Sequence, residues 1–288
     1  KQVPDTTEIR IDPVTNTLIR SGVPSIVNPF DGYALEAAAR IKDRDPDAKI
    51  VVLSMGPEQA KAVLKESLAI AADKAYLVSD RAFGGSDTLA TSYTLSCCAR
   101  KLGKVDLILC GRQAIDGDTA QVGPQIAEKL KLPQICYVEE IRSFGDGKVV
   151  ARRAIDGGYE VLESPLPALL TVIDANEPRP MNAKRIMKYK RARTPSEVAK
   201  AHDNANYTEG ETADAELKAL EKAGLLIREF SAADIDADPG RIGFPGSPTK
   251  VKQVMSVVLT AGEAKTVPAT ADGIGLLIHE LISDHTLG

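Results

Sequence analysis

The residue types best suited to chemistry are gathered in one run, Gly111-Arg112-Gln113-Ala114-Ile115-Asp116-Gly117-Asp118-Thr119-Ala120-Gln121-Val122, followed by Gly123-Pro124. Glycines, two carboxylates, a hydroxyl and two side-chain amides at this density point to non-covalent capture of an anion. The flanks show why. Val105 to Cys110 is short, apolar and ended by Gly111, which suits a buried parallel strand. Gln125 to Leu130 places Ile126, Ala127 and Leu130 on one face, which suits a helix packed on that strand. A loop between such a strand and helix is where open α/β sheets bind ligands. Unpaired N–H groups and the positive end of the helix dipole favour a phosphate there. Each such contact contributes only about 0.3–1 kcal/mol, so several must act together.

Pro124 lacks an N–H and fits the first helical turn. This predicts a helix start near Ala120 or Gln121, with Asp118 and Thr119 as caps. Asp116 and Asp118 would repel a phosphate they faced, so they are expected to cap the helix or to accept from ribose hydroxyls. A capped turn without ligand is the plainer reading. It ranks second, because a cap alone does not need Gly111, Gly117, Gly123, both aspartates, Thr119 and two glutamines. The run is neither a Walker loop nor G-x-G-x-x-G.

The loops after Met55 and Val78 leave the same sheet edge. Met55, Phe83, Gly84, Gly85 and Thr88 are therefore expected to line a shared crevice, with Met and Phe as an apolar wall for a ligand ring. For Met55 and Phe83 taken singly, core packing is the commoner explanation. No nucleophile–base pair is visible, no serine has a G-x-S-x-G setting, and no histidine lies in a loop tied to the crevice. No catalytic side chain is assigned, and any chemistry falls to a bound cofactor.

The elements that must position these residues alternate. Lys1 to Leu18, with Asp12-Pro13 and Asn16, reads as a hairpin. Asn28 or Asp31 caps a helix carrying Ala34, Leu35, Ala38 and Ile41. A strand Ile50 to Met55, a helix with Ala60, Val63, Leu64, Leu68 and Ala71, a strand Ala75 to Val78 and a helix Leu89 to Leu102 follow. This spacing indicates an α/β fold with an open, mostly parallel sheet and helices on both faces. From Gln134 to Val172 short alternating runs broken by Gly145, Gly147 and Gly157-Gly158 read as a β-hairpin region and a strand Ala168 to Val172. Asn176 to Pro180 closes a first domain, 1–193. Arg179, Lys184, Arg185, Lys188, Lys190, Arg191 and Arg193 form a basic segment, read evenly as a solvated connector or as a dock for an acidic partner. Residues 194–288 read as an extended arm with helical pieces at Ala215 to Ala223 and Gly273 to Ser283 and a strand at Val251 to Thr260. That arm is expected to lie on another chain.

Composition sets bounds. The 288 residues are 43% hydrophobic and carry a net charge of −4, with no Trp and 4% aromatics. Bulk charge and scarce rings argue against nucleic-acid binding. No stretch approaches the apolar length of a membrane span. Cys97, Cys98, Cys110 and Cys136 lack metal-ligand spacing and read as reduced thiols of a cytoplasmic protein. With His202, His279 and His285 scattered, no metal site is expected. The chain opens on Lys rather than Met, which leaves room for a preceding segment.

Several runs together resemble the beta subunit of the electron-transfer flavoproteins. They are Lys1 to Asp5, Asn28-Pro29-Phe30-Asp31-Gly32-Tyr33-Ala34-Leu35-Glu36, Leu53 to Pro57, Asp106 to Thr119, Leu166-Pro167-Ala168 and Asn176 to Arg179, with an echo at Gly246-Ser247-Pro248-Thr249. The resemblance implies an adenine-nucleotide-binding, Rossmann-like domain that pairs with an alpha subunit carrying FAD. In the ordinary branch the beta subunit holds structural AMP. In the bifurcating branch it holds a second FAD, which takes a hydride from NADH and divides the electrons between ferredoxin or flavodoxin and the alpha flavin, which exchanges them with a partner such as an acyl-CoA or 2-hydroxy-acid dehydrogenase. Asp80 to Ser92, Asp31-Gly32-Tyr33 and Gly117 to Gln121 are similar to the bifurcating branch. The implied cofactor contacts are Asn28, Phe30, Asp31, Met55, Phe83, Gly84, Gly85, Thr88 and Gly111 to Val122. Two features depart from the family. Its first strand, which completes the sheet, would precede Lys1. Its partner-recognition loop falls at Arg179 to Met187, where Ala183 and Lys184 replace an apolar anchor. The stretch Glu197 to Arg228 is also longer than usual. FAD, AMP, and a nucleotide-binding regulatory module without electron transfer remain the three readings.

Overall fold

A computed structural model describes residues 1–5, 24–173, 177–204, 212–251, 265–284, 286 and 287. Strands β1 (Gln2–Pro4) and β2 (Ser25–Val27) pair antiparallel, and helix α1 (Pro29–Arg44) follows. The centre of the expected first hairpin lies outside the described residues. Next come β3 (Val51–Met55), α2 (Lys61–Ile70), β4 (Lys74–Val78), α3 (Thr88–Leu102), β5 (Leu107–Gly111) and α4 (Val122–Leu130). Strands β6 (Gln134–Gly145), β7 (Lys148–Ile155), β8 (Gly158–Pro165) and β9 (Ala168–Val172) complete the sequence-predicted series. Helices α5 (Ala183–Tyr189), α6 (Pro195–Asn204) and α7 (Ala213–Ala223), strand β10 (Arg228–Phe230) and helix α8 (Ala271–Ser283) end it. The strand expected at Val251 to Thr260 falls almost wholly on residues outside the description.

The fold is α/β with a mostly parallel sheet and helices on both faces. β3, β4 and β10 form one fully parallel sheet in the order β10-β4-β3. A second has the order β5-β9-β6-β7-β8, parallel across its first three strands and antiparallel across its last three. The hairpin region therefore widens the sheet. Its β6–β7 turn places Asp146 (φ 51°) and Gly147 (φ 74°) left-handed in succession, which matches the twist of the strands it joins. One expectation is corrected. The apolar run predicts a buried β5, yet Leu107 to Cys110 are only partly buried. The reason is that β5 pairs with β9 alone among the described residues.

Side chains alternate along the strands, and the helices divide accordingly. Leu170 and Val172 of β9 face Ala34 and Ala37 of α1, whereas Leu169 faces Ile126 and Ala127 of α4. On the other sheet, Leu77 packs with Leu64 and Leu68 of α2 and with Ile227, while Val78 packs with Tyr93 and Cys97 of α3. Each fully buried aliphatic contributes about 1.5–3 kcal/mol, so α1 to α4 fix the strand ends firmly.

The unit built by these contacts runs from Lys1 to Lys252, and Gln253–Gly288 form a second. The expected boundary at 193/194 thus falls inside the first unit. Polar as the stretch is, its few apolar residues are well spaced: Val198, Leu225, Ile227, Ile235 and Ile242 are all buried. In the second unit α8 is capped by the Thr270 hydroxyl, which accepts from the Gly273 N–H, and it exposes Ile274, Leu276, Ile278 and Ile282.

The basic segment is partly structural. Arg185 donates to the carbonyls of Leu68 (2.6 Å) and Ala69 (3.0 Å) at the end of α2, closing that helix. Arg179 clamps α1 through Glu36 (2.8 Å) and Asp43 (2.7 Å). Burial pushes the Glu36 carboxyl up, but hydrogen bonds from Arg179 and Arg40 outweigh it and hold it below the usual carboxylate value. Its contribution to stability is therefore present above about pH 4.5 and lost as pH falls through the lower, folded value. Arg179→Ala is expected to cost about 1–3 kcal/mol at neutral pH, shrinking toward pH 3, in denaturant titrations. A loss that does not change with pH would contradict the clamp.

Candidate functional site: the loop between β5 and α4

The loop starts where α1 crosses β5. A β-carbon on Gly111 would lie 2.5 Å from the backbone carbonyl carbon of Phe30, so only glycine lets the two chains pass. The Gly111 N–H then donates to Asp31 Oδ1 at 2.9 Å. Asn28, fully buried, bonds the loop twice: its side-chain N–H donates to the Gln113 carbonyl (2.8 Å), and its Oδ1 accepts from the Ile115 N–H (3.1 Å). Asn28 stands at the N-cap position of α1, as expected, but makes no side-chain cap bond, and Asp31 lies within the first turn; both side chains are committed to the loop.

A turn over Ala114 to Gly117 follows, with the Gly117 and Asp118 N–H groups donating to the Ala114 carbonyl. Both aspartates face protein groups. Asp116 accepts from the Lys1 ammonium (2.6 Å), and Asp118 from the Gln113 side chain (2.6 Å). The expected capping by Asp118 and Thr119 does not occur; Gln121 is the cap residue and makes no side-chain cap bond. The helix starts at Val122, later than expected, because Asp118 (φ 47°) and Ala120 (φ 51°) are left-handed and delay the first turn. Left-handed non-glycine residues are costly and cluster at ligand sites.

These bonds leave a distinct surface. Among the described residues, the backbone N–H groups of Thr119, Ala120, Gln121, Val122 and Gly123 meet no protein acceptor. They lie at the positive end of α4, the arrangement that receives a phosphate. The three glycines now separate by role. Gly111 and Gly123 are required by packing, since a β-carbon on Gly123 would meet Cys110 Sγ at 2.8 Å. A β-carbon on Gly117 would meet nothing within 4 Å, so its side stays open. The residues present thus fit a phosphate-bearing nucleotide.

The neighbouring loop joins this one. Thr88 Oγ1 donates to the Gln121 side chain at 2.8 Å, and Ser92 Oγ to that of Gln125 at 3.0 Å, tying α3 to α4. Phe83 does not form a wall of the crevice, whereas Met55 stays partly exposed. Phe83 is buried with Val78, Tyr93, Ile235 and Ile242, and Met55 packs on the same cluster. Arg112 turns the other way, its guanidinium 4.9 Å from the Phe30 ring and 5.9 Å from that of Tyr137. The Gly243–Thr249 turn, which sequence reasoning left unassigned, packs on the Gly84-Gly85 loop. Its only signal was the short Gly246-Ser247-Pro248-Thr249 run. Among the described residues no group of His, Cys, Asp or Glu is arranged to hold a metal, and no helix is long and apolar enough to cross a membrane.

Fold and loop define an α/β protein with a βα turn whose first helical amide donors are unpaired. The comparisons with known proteins narrow this. The electron transfer flavoprotein domain model matches residues 15–202. The chain is 48% identical to the electron transfer flavoprotein subunit beta of Megasphaera elsdenii over 89% of its length and 85% of the relative's. It is 57% identical to the caffeyl-CoA reductase-Etf complex subunit CarD of Acetobacterium woodii over 65% of this chain and 71% of that one, and 40% identical to the protein FixA of Bradyrhizobium diazoefficiens over 96% and 88%. The chain belongs to the beta-subunit family of the electron transfer flavoproteins. Such subunits serve electron transfer, pair with an alpha subunit and bind a flavin or AMP.

The two kinds of glycine give a test of the geometry. Gly123→Ala is expected to lower stability by about 1–3 kcal/mol, the usual range for overpacking. Gly117→Ala should stay within about 0.5 kcal/mol. Thermal unfolding that showed equal losses would contradict the assignment.

Proposed function

We propose that this chain is the beta subunit of a bifurcating electron transfer flavoprotein, with FAD in the crevice. The observation that carries it is the row of free amides from Thr119 to Gly123 beside the open flank of Gly117, flanked by the Asp80 to Ser92 run that resembles the bifurcating branch. FAD, when bound, supplies a site that accepts a hydride from NADH and passes the electrons singly, one to ferredoxin or flavodoxin and one to the alpha-subunit FAD. The chain's own part is placement. The amide row holds the pyrophosphate without a counter-charge, Asn28 keeps the loop in that shape, and Thr88 and Gln121 hold the two sides of the crevice together. Gly84 and Gly85 keep the neighbouring loop free of side chains, and Phe244 packs on Gly85 there.

One relative supports a reading of the partner class: that of Acetobacterium woodii is named as a subunit of a caffeyl-CoA reductase complex. A flavin-dependent dehydrogenase acting on acyl-CoA or a 2-hydroxy acid fits this chain in a cytoplasmic complex. The apolar residues of α8, exposed within their own unit, are read as a contact for the alpha subunit. Burial of Phe83 favours the second reading, structural AMP, since it removes one ring wall.

The experiment is ligand extraction from the co-purified heterodimer. Two FAD per heterodimer, with no AMP, is the expected result. One FAD and one AMP would overturn the bifurcating reading.

A further inference from the structure

Although Phe83 is withdrawn into the core, another aromatic stands on the two-glycine loop. Phe244 is 54% exposed, and its N–H donates to the Gly84 carbonyl at 2.9 Å. It lies against Gly85 (φ 71°), where an added β-carbon would be 3.2 Å from the Phe244 Cβ.

The backbone that presents this ring is heavily secured. Gly243 (φ 59°) passes so near the Ala82 carbonyl that a β-carbon would collide with it, and its N–H donates to Ser86 Oγ at 3.1 Å. Ser247, buried, accepts from the Asp87 N–H (2.8 Å) and donates to the Gly243 carbonyl (2.7 Å). The Asp87 carboxylate accepts from the Thr249 N–H (3.0 Å), the Thr249 hydroxyl (2.5 Å) and the Ala90 N–H (3.0 Å). Burial pushes the Asp87 carboxyl up, but the Thr249 and backbone donors outweigh it and keep it ionised at neutral pH. The Lys250 ammonium sits 4.3 Å from the Phe244 ring centroid and fixes the ring further. One residue beyond Asp87, Thr88 is bonded to Gln121 beside the amide row. A rigid turn thus aims an exposed ring at a loop without side chains, and that loop is tied to the phosphate cradle.

We propose that Phe244 is the ring wall of the crevice and sets its preference for FAD over AMP. The inference rests on the reading that FAD occupies the crevice. The amide row holds the phosphate that both ligands share. Phe244 packs against the isoalloxazine, which only FAD has, and stacked aromatic pairs discriminate by geometry as well as area.

The test measures dissociation constants of FAD and AMP for the heterodimer stripped of its beta-subunit ligand, with the parent, Phe244→Ala and Phe244→Leu chains. The expected outcome for Phe244→Ala is FAD weakened about tenfold with AMP within about twofold, and Phe244→Leu in between. Equal weakening of both ligands would mark a purely structural role and overturn the inference, as would FAD affinity unchanged in both variants. If Phe244→Ala fails to assemble, Phe244→Leu carries the same comparison. A parent heterodimer that takes AMP but no FAD at this site overturns the proposed function and this inference together, whereas FAD binding indifferent to Phe244 overturns only the latter.

Discussion

The first turn of the Pro29–Arg44 helix lies so close to Gly111 that no β-carbon fits between them, and the rest of the site follows from that contact. The crossing brings Asn28 and Asp31 within reach of the next strand-to-helix loop. Both side chains then bond that loop, and the Asn28 side chain makes no bond to its own helix end. A lost side-chain cap costs about 0.5–2 kcal/mol, which is offset when the same group satisfies buried backbone groups elsewhere. The loop in turn is bent into two left-handed residues, and the following helix begins with its first donors unpaired. An anion there gains from the helix dipole and from amides that need no reorganisation to receive it.

Charge placement is consistent with this. Two aspartates lie within the loop, and either would oppose a phosphate it faced. Asp116 is turned to Lys1 and Asp118 to Gln113, so neither confronts the amide row with a free carboxylate. Arg112, the loop's only cation, is spent on the Phe30 and Tyr137 rings rather than on the row. Any attraction for an anion at the row would therefore come from the backbone amides.

Much of this was legible in the sequence. The strands and helices from Ile50 to Leu130 and the hairpins after Gln134 were placed to within a few residues, because apolar periodicity and Asp-Gly turns are strong local signals. The central loop was recognised from residue types alone. What escaped depended on distant partners. Nothing local shows that the side chain of the N-cap residue Asn28 reaches across to Gln113 rather than to its own helix. Phe83 and Phe244 both precede or follow glycine, yet only the tertiary packing of Ile235 and Ile242 decides which ring is covered. The three-residue strand Arg228–Phe230 was missed because a charged, short edge carries no period, although β4 supplies its partner. The polar composition after Arg193 hid the few buried residues that bind Pro195–Asn204 and Ala213–Ala223 into the first unit.

The most direct measurement compares AMP with adenosine on the stripped heterodimer by isothermal titration. The two ligands differ only in the phosphate. A cradle of five free amides predicts AMP tighter by on the order of 100-fold, about 3 kcal/mol, from several dipole-assisted contacts of roughly 0.3–1 kcal/mol each. Equal affinities would contradict the claim that the loop exists to hold an anion.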